Sequence, residues 1–266
     1  MRRLAFALLG ALALAPAARG ADDQACDAAA FAVAGRFAGF ADFTADNEAR
    51  VASAACRPAP DQPGVLLAAF AYGKQPVGRP APEDEAKELA VLVIDRARGQ
   101  VIASARQPAQ EDAMTSFGPG SLALDTARYV LAPGVRAFGL RFHSTARGPS
   151  CADNGFGDLL TLFVPQGHAL RPVLQMNLST QRALAGCIGN AVPDAVVESA
   201  DLKIALAPTR SHGYADLVVH ARITTWIADE NRPVPKPRNE TRVLRYDGQG
   251  YPVREQDAWW LADLGY

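Results

Sequence analysis

The sequence predicts an all-β protein, mainly antiparallel, built as a propeller-like ring or a β-sandwich, with a short α-helical segment on its N-terminal side. Three observations predict it. From Val65 onward apolar residues come in short runs or in strict alternation; in 136–144, Phe138, Leu140 and Phe142 share one face and Gly139, Arg141 and His143 the other. Strand–turn–strand units recur with glycine in the turn, as in ELAVLVID-RARGQ-VIASAR, DLLTLFV-PQGHA-LRPVLQ and ETRVLRYD-GQG-YPVRE. Between them no segment reads as the crossover helix that parallel pairing requires.

Taken in order, residues 1–20 read as a secretory signal peptide. Arg2 and Arg3 precede the apolar run 4–15, and small residues follow up to Gly20. That run is shorter than the ~20 residues a membrane span needs. Removing 1–20 takes three arginines with it and moves the formal charge from −1 to −4. A mildly acidic chain of this kind carries no footprint for nucleic acid and no polybasic patch for anionic lipid. With 49% hydrophobic and 21% charged residues it has the means to bury a core.

Residues 21–64 form a distinct segment. Its stretch 26–56 is alanine-rich, which favours helix, with Phe31, Phe37, Phe40 and Phe43 as anchors. One or two short helices are expected, then a proline-rich connector at 57–64. Residues 65–266 form the β domain. Strands are expected at 65–72, in the three hairpins above, at 122–131, 136–144 and 199–207, and again after HGYA, with a charged, proline-rich loop at 74–88. Four cysteines remain, Cys26, Cys56, Cys151 and Cys187. In an oxidising compartment an even number implies two disulfides. Of three possible pairings, Cys26–Cys56 and Cys151–Cys187 keep each bridge within one segment. A loop of that length is worth roughly 4 kcal/mol in the chain-entropy model.

One stretch is echoed: NGFGDLLTL at 154–162 and HGYADLVVH at 212–220. Both run glycine, aromatic, small, aspartate, leucine, then β-formers. The pattern resembles the FG-GAP-type repeats of β-propeller proteins, whose acidic loop binds calcium and leads into a blade strand. What that resemblance implies is a calcium site at Asp153, Asn154 and Asp158, since calcium favours several oxygen ligands. The second copy has Arg210 and His212 where ligands would stand. Read from the residues themselves, the echo is a structural turn used twice: glycine supplies positive φ, and Asp158 and Asp216 bond backbone N–H groups.

Catalytic signatures are thin. There is no Gly-x-Ser-x-Gly elbow and no His-Glu-x-x-His. The four histidines, His143, His168, His212 and His220, fall on polar strand faces or in turns without an evident partner. Two segments read as contact surfaces. The polar loop 228–240 offers Asp229, Glu230 and Arg232, and the C-terminal DAWWLADLGY offers Trp259 and Trp260. The expected function is a periplasmic binding or inhibitor module that presents loops on a β scaffold to a protein or cell-envelope component. Propeller-type periplasmic proteins that inhibit cell-wall hydrolases are what the resemblance implies here. The alternatives are a cell-envelope hydrolase with a metal or carboxylate site, and a structural envelope protein. No cofactor is expected beyond calcium, and no membrane span.

Overall fold

The computed structural model describes residues 24–75, 86–189 and 194–253. The signal-peptide reading of 1–20 and the contact residues Trp259 and Trp260 lie outside them.

The chain begins with helix α1 (Ala28–Ala38). Asp27 caps it by accepting the Ala30 N–H at 2.8 Å, and Gly39 ends it in the left-handed conformation. Gly35 is required by close approach: a Cβ there would stand 2.8 Å from the Phe40 carbonyl oxygen. Of the one or two short helices expected in 26–56 the structure has one, and where the rest of that stretch was expected to be helical it has a turn region and then strand β1 (Val51–Pro58). Val51, Ser53 and Ala55 alternate inward, and pairing along the next strand overrides the helical preference of alanine. Strands β2 (Val65–Tyr72), β3 (Lys87–Asp95) and β4 (Gln100–Ala109) continue an antiparallel meander. Phe31 and Phe43 of the helical region stand edge-on to Phe70 of β2, with centroids 5.4 and 5.3 Å away. The Cys26–Cys56 disulfide, Cα–Cα 4.9 Å, ties the start of α1 to β1.

A second meander follows: β5 (Leu122–Ala132), β6 (Val135–Phe142), β7 (Asn154–Gln166), β8 (Ala169–Ala185), β9 (Val196–Ser211), β10 (Tyr214–Ile227) and β11 (Arg238–Leu244). Each of these strands pairs antiparallel with the next. The two meanders join where β4 meets β8 through one parallel bridge, Ser104↔Ala169. His168 makes that joint: its carbonyl accepts the Ser104 N–H at 3.0 Å, and its ring Nδ1 lies 3.1 Å from the Ile102 carbonyl. The protein is thus mostly β and antiparallel-dominated, in one continuous ladder.

Three cores follow from this layering. One lies between α1 and β1–β3. A second faces β1–β4 with β5–β7, through residues such as Leu67, Val91, Leu124, Phe138 and Phe163. The third is built from the β5–β11 meander, with Leu131, Leu160, Met176, Leu217 and Ile223 fully buried or nearly so. The third expected hairpin ends early: Tyr251–Val253 form no strand, and the Tyr251 N–H bonds to the Val173 carbonyl at 2.7 Å.

The echoed stretches are not one turn used twice. His212 (φ 47°) and Gly213 (φ 86°) make the two-residue hairpin turn between β9 and β10, a left-handed pair suited to such turns. Residues 154–158 instead belong to β7, in regular register with Arg182 to Ser179 of β8. Gly155 has no positive φ there; the left-handed residue of this copy is Asp158 itself, at φ 51°. Long-range pairing with β8 decides the first copy, and local turn chemistry the second.

Candidate binding site

The site arises where two strands part. β6 pairs with β7 only as far as Phe142↔Leu159. Beyond that the chain turns towards 116–121: the His143 N–H donates to Ser121 at 2.8 Å and the Thr145 N–H to Ser116 at 3.0 Å. β7 nevertheless runs on to Asn154, and among the described residues it pairs there with β8 alone. The wedge left open is a cleft of about 340 Å³. Its floor is Gly155, Phe156 and Gly157, with Ser179 and Gln181 of β8 beyond, and its other wall is 143–148.

The rim is held from several sides. The Cys151–Cys187 disulfide, Cα–Cα 5.1 Å, and the Ala152↔Ile188 bridge fix the chain entering β7. Met114 borders the cleft on a pinned loop: Asp112 accepts the Met114 and Thr115 N–H groups at 2.8 and 2.7 Å. Next to it Glu111 accepts the Phe117 N–H at 2.7 Å and pairs with Lys87. Burial opposes the Glu111 charge, but the Lys87 hydrogen bond and the Phe117 N–H outweigh it, so its carboxyl lies below the ordinary glutamate range.

What the cleft offers is recognition chemistry. Phe156 is 56% exposed, and Met114 is exposed as well. Arg147 is exposed and has no partner among the described residues. His143 Nδ1 stands 3.4 Å from Asp158, both open to solvent. Ser144, the hydroxyl nearest that histidine in sequence, is committed to the loop: it accepts the Ser116 and Ala146 N–H groups at 3.0 and 3.1 Å and donates to the Met114 carbonyl at 2.8 Å. It is not free to act as a nucleophile.

The other expected residues are dispersed. Asp153 is exposed, and its carbonyl accepts the Ala183 N–H at 2.8 Å. Asn154 and Asp158 lie four residues apart along a strand, of order 13 Å, so the three expected calcium ligands do not converge. Among the described residues no three His, Cys, Asp or Glu side chains gather as a metal site. His220 lies on β10 with its ring against the Thr241 hydroxyl of β11 at 3.2 Å, away from His143 on the β6 side. Asp229, Glu230 and Arg232 sit together in the exposed β10–β11 connection. There Asp229 also shapes the turn, accepting the Asn231 N–H at 2.9 Å. The loop is anchored at both roots: Ala228 donates to Ala195 at 2.9 Å, and Arg238 pairs with Glu198, which is only 1% exposed. Trp226, 52% exposed, flanks its start.

Sequence reasoning missed Arg147, Phe156 and Gln181 as a group. The signal that could have found them is the pair of glycines around Phe156 in a stretch of strand character. Fold and site together define an antiparallel β protein with an open wedge between two strands. Compared with known families, curated proteins and solved structures, the chain matches no family model, no curated protein and no solved structure.

Proposed function

We propose that this protein is an exported binding module that recognises a protein or cell-envelope partner through the wedge between β6 and β7, with the β10–β11 loop as a second contact. The observation that carries this reading is the state of the wedge's side chains. Phe156 on β7 and Arg147 in the facing loop are exposed and, among the described residues, uncommitted, whereas Ser144, next to His143 in sequence, is fully engaged by backbone. Pockets that combine apolar surface with a few placed polar groups are suited to binding. Export accords with both disulfides being formed and with the absence, among the described residues, of a helix long and apolar enough to cross a membrane. A sandwich-like reading of the fold draws support from the second core, where β1–β4 and β5–β7 face each other as layers.

Co-sedimentation of the purified protein with envelope fractions of its source cell tests this. The wild type is expected to be retained, with Phe156→Ala and Arg147→Ala retained at least about tenfold less at unchanged melting temperature, a usual loss for an interface anchor. Turnover of envelope fragments that disappears in a folded His143→Ala variant would overturn the reading in favour of a hydrolase.

A further inference from the structure

We propose that the wedge is a strand-addition site: an extended peptide of a partner protein pairs with the free edge of β7 at Gly155–Gly157 and sets a carboxylate against Arg147. This rests on the wedge being the binding surface.

The backbone supplies the first argument. An antiparallel strand turns its N–H and C=O groups alternately to the two neighbours. Among the described residues, β7 over 154–157 pairs with β8 alone, because β6 has left it at Phe142. Alternate residues therefore present unpaired donors and acceptors to the wedge. Such an edge is a template for another strand, and peptide recognition by strand addition uses this geometry.

The glycines supply the second. Neither Gly155 nor Gly157 has a positive φ. A Cβ on Gly157 would meet only the Ser179 Cβ, at an ordinary 3.8 Å, and one on Gly155 would first meet the flexible end of Gln181 at 3.2 Å. Among the described residues nothing demands glycine at 157, and glycine weakens a strand interior. Gly155 and Gly157 stand opposite Gln181 and Ser179 on one face of the ladder, so their missing side chains open the face of the wedge beside the edge and leave room for the side chains of an added strand.

Charge supplies the third. Arg147, on the opposite wall, is unpaired among the described residues, and a guanidinium takes a carboxylate in bidentate fashion. Asp158 is already placed beside His143, which leaves Arg147 as the cation for the ligand. Phe156 and Met114 offer apolar contact to the side chains of such a peptide.

The test selects a displayed library of linear heptapeptides on the immobilised full chain, then titrates the enriched peptides. Enriched sequences are expected to carry an acidic residue. Gly157→Val should melt at or above the wild-type temperature, since valine suits a strand, yet bind about tenfold weaker or worse. Arg147→Gln should cost a similar factor, as expected for a lost charge-assisted bond. Backbone N-methylation at alternate peptide positions should also weaken binding about tenfold, which docking through side chains alone would not produce. A flat N-methyl scan overturns strand addition. Should envelope fractions retain the wild type and not Phe156→Ala while no peptide sensitive to N-methylation is enriched, the wedge binds something else, such as an envelope glycan, and only strand addition falls. If envelope fractions fail to retain the wild type as well, both readings fall.

Discussion

Asp216 and Asp158 occupy the same place in the echoed stretches and do different work. Asp216 sits at a register shift between β9 and β10 and is 2% exposed. Thr209 donates to its Oδ2 at 2.7 Å, while Oδ1 has no hydrogen bond of normal geometry. Burial opposes its charge, but the Thr209 and Ser211 hydroxyls, the Tyr246 N–H and Arg245 outweigh it and hold its pKa below the usual aspartate value. Asp216→Ala is therefore expected to cost about 1–3 kcal/mol in urea unfolding, the range for orphaning a buried partner. A depressed folded pKa gives stability that is present above the unfolded value near ~3.9 and is lost as pH falls through the folded one. The stability gap between wild type and Asp216→Asn should accordingly narrow below about pH 4; a gap independent of pH would place the stabilisation elsewhere. Asp158, by contrast, holds a left-handed φ inside a strand, a conformation aspartate tolerates better than most residues. Millimolar calcium is expected to leave the melting temperature unchanged, because a ligand stabilises only by binding the native state and Asp153, Asn154 and Asp158 do not converge. A rise abolished by Asp158→Ala would restore calcium to that loop.

Among the elements, short apolar runs bounded by turn residues were legible in the sequence. β2 occupies 65–72 as expected, and the β3–β4 and β7–β8 hairpins fall where apolar runs flank a glycine-bearing turn. β1 was not legible, because VASAAC is small and alanine-rich and becomes a strand only by lying along β2. The wedge was not legible either. It depends on where β6 stops pairing with β7, a choice set by the bonds from His143 and Thr145 to 116–121 and absent from any local pattern. The β10–β11 connection was legible as an exposed loop, but its anchor was not: Glu198 lies among apolar residues of β9 and is recognisable only with Arg238 opposite. The Glu198 hydrogen bond, with Glu240 adding to it, holds the Arg238 guanidinium more firmly protonated than usual. Arg238→Ala should leave a buried charge uncompensated and cost about 3–5 kcal/mol. Replacing Asp229, Glu230 and Arg232 together with alanine should move stability by only about 0.5 kcal/mol. Denaturant unfolding of the two variants checks the contrast, and equal losses would mean that the loop itself is part of the core.

Across the molecule, two meanders meet at β4 and β8, and the disulfides secure the chain, Cys26–Cys56 at α1 and β1 and Cys151–Cys187 at the start of β7. This leaves the free edge of β7 open yet firmly placed, and placement is what binding at low entropic cost requires. If recognition runs through the backbone edge at Gly155–Gly157, a titration of a selected peptide N-methylated at each position in turn tests it most directly. Methylation at alternate positions should weaken binding about tenfold, with the intervening positions near the parent affinity. A scan that is flat along the peptide would contradict pairing through the β7 edge.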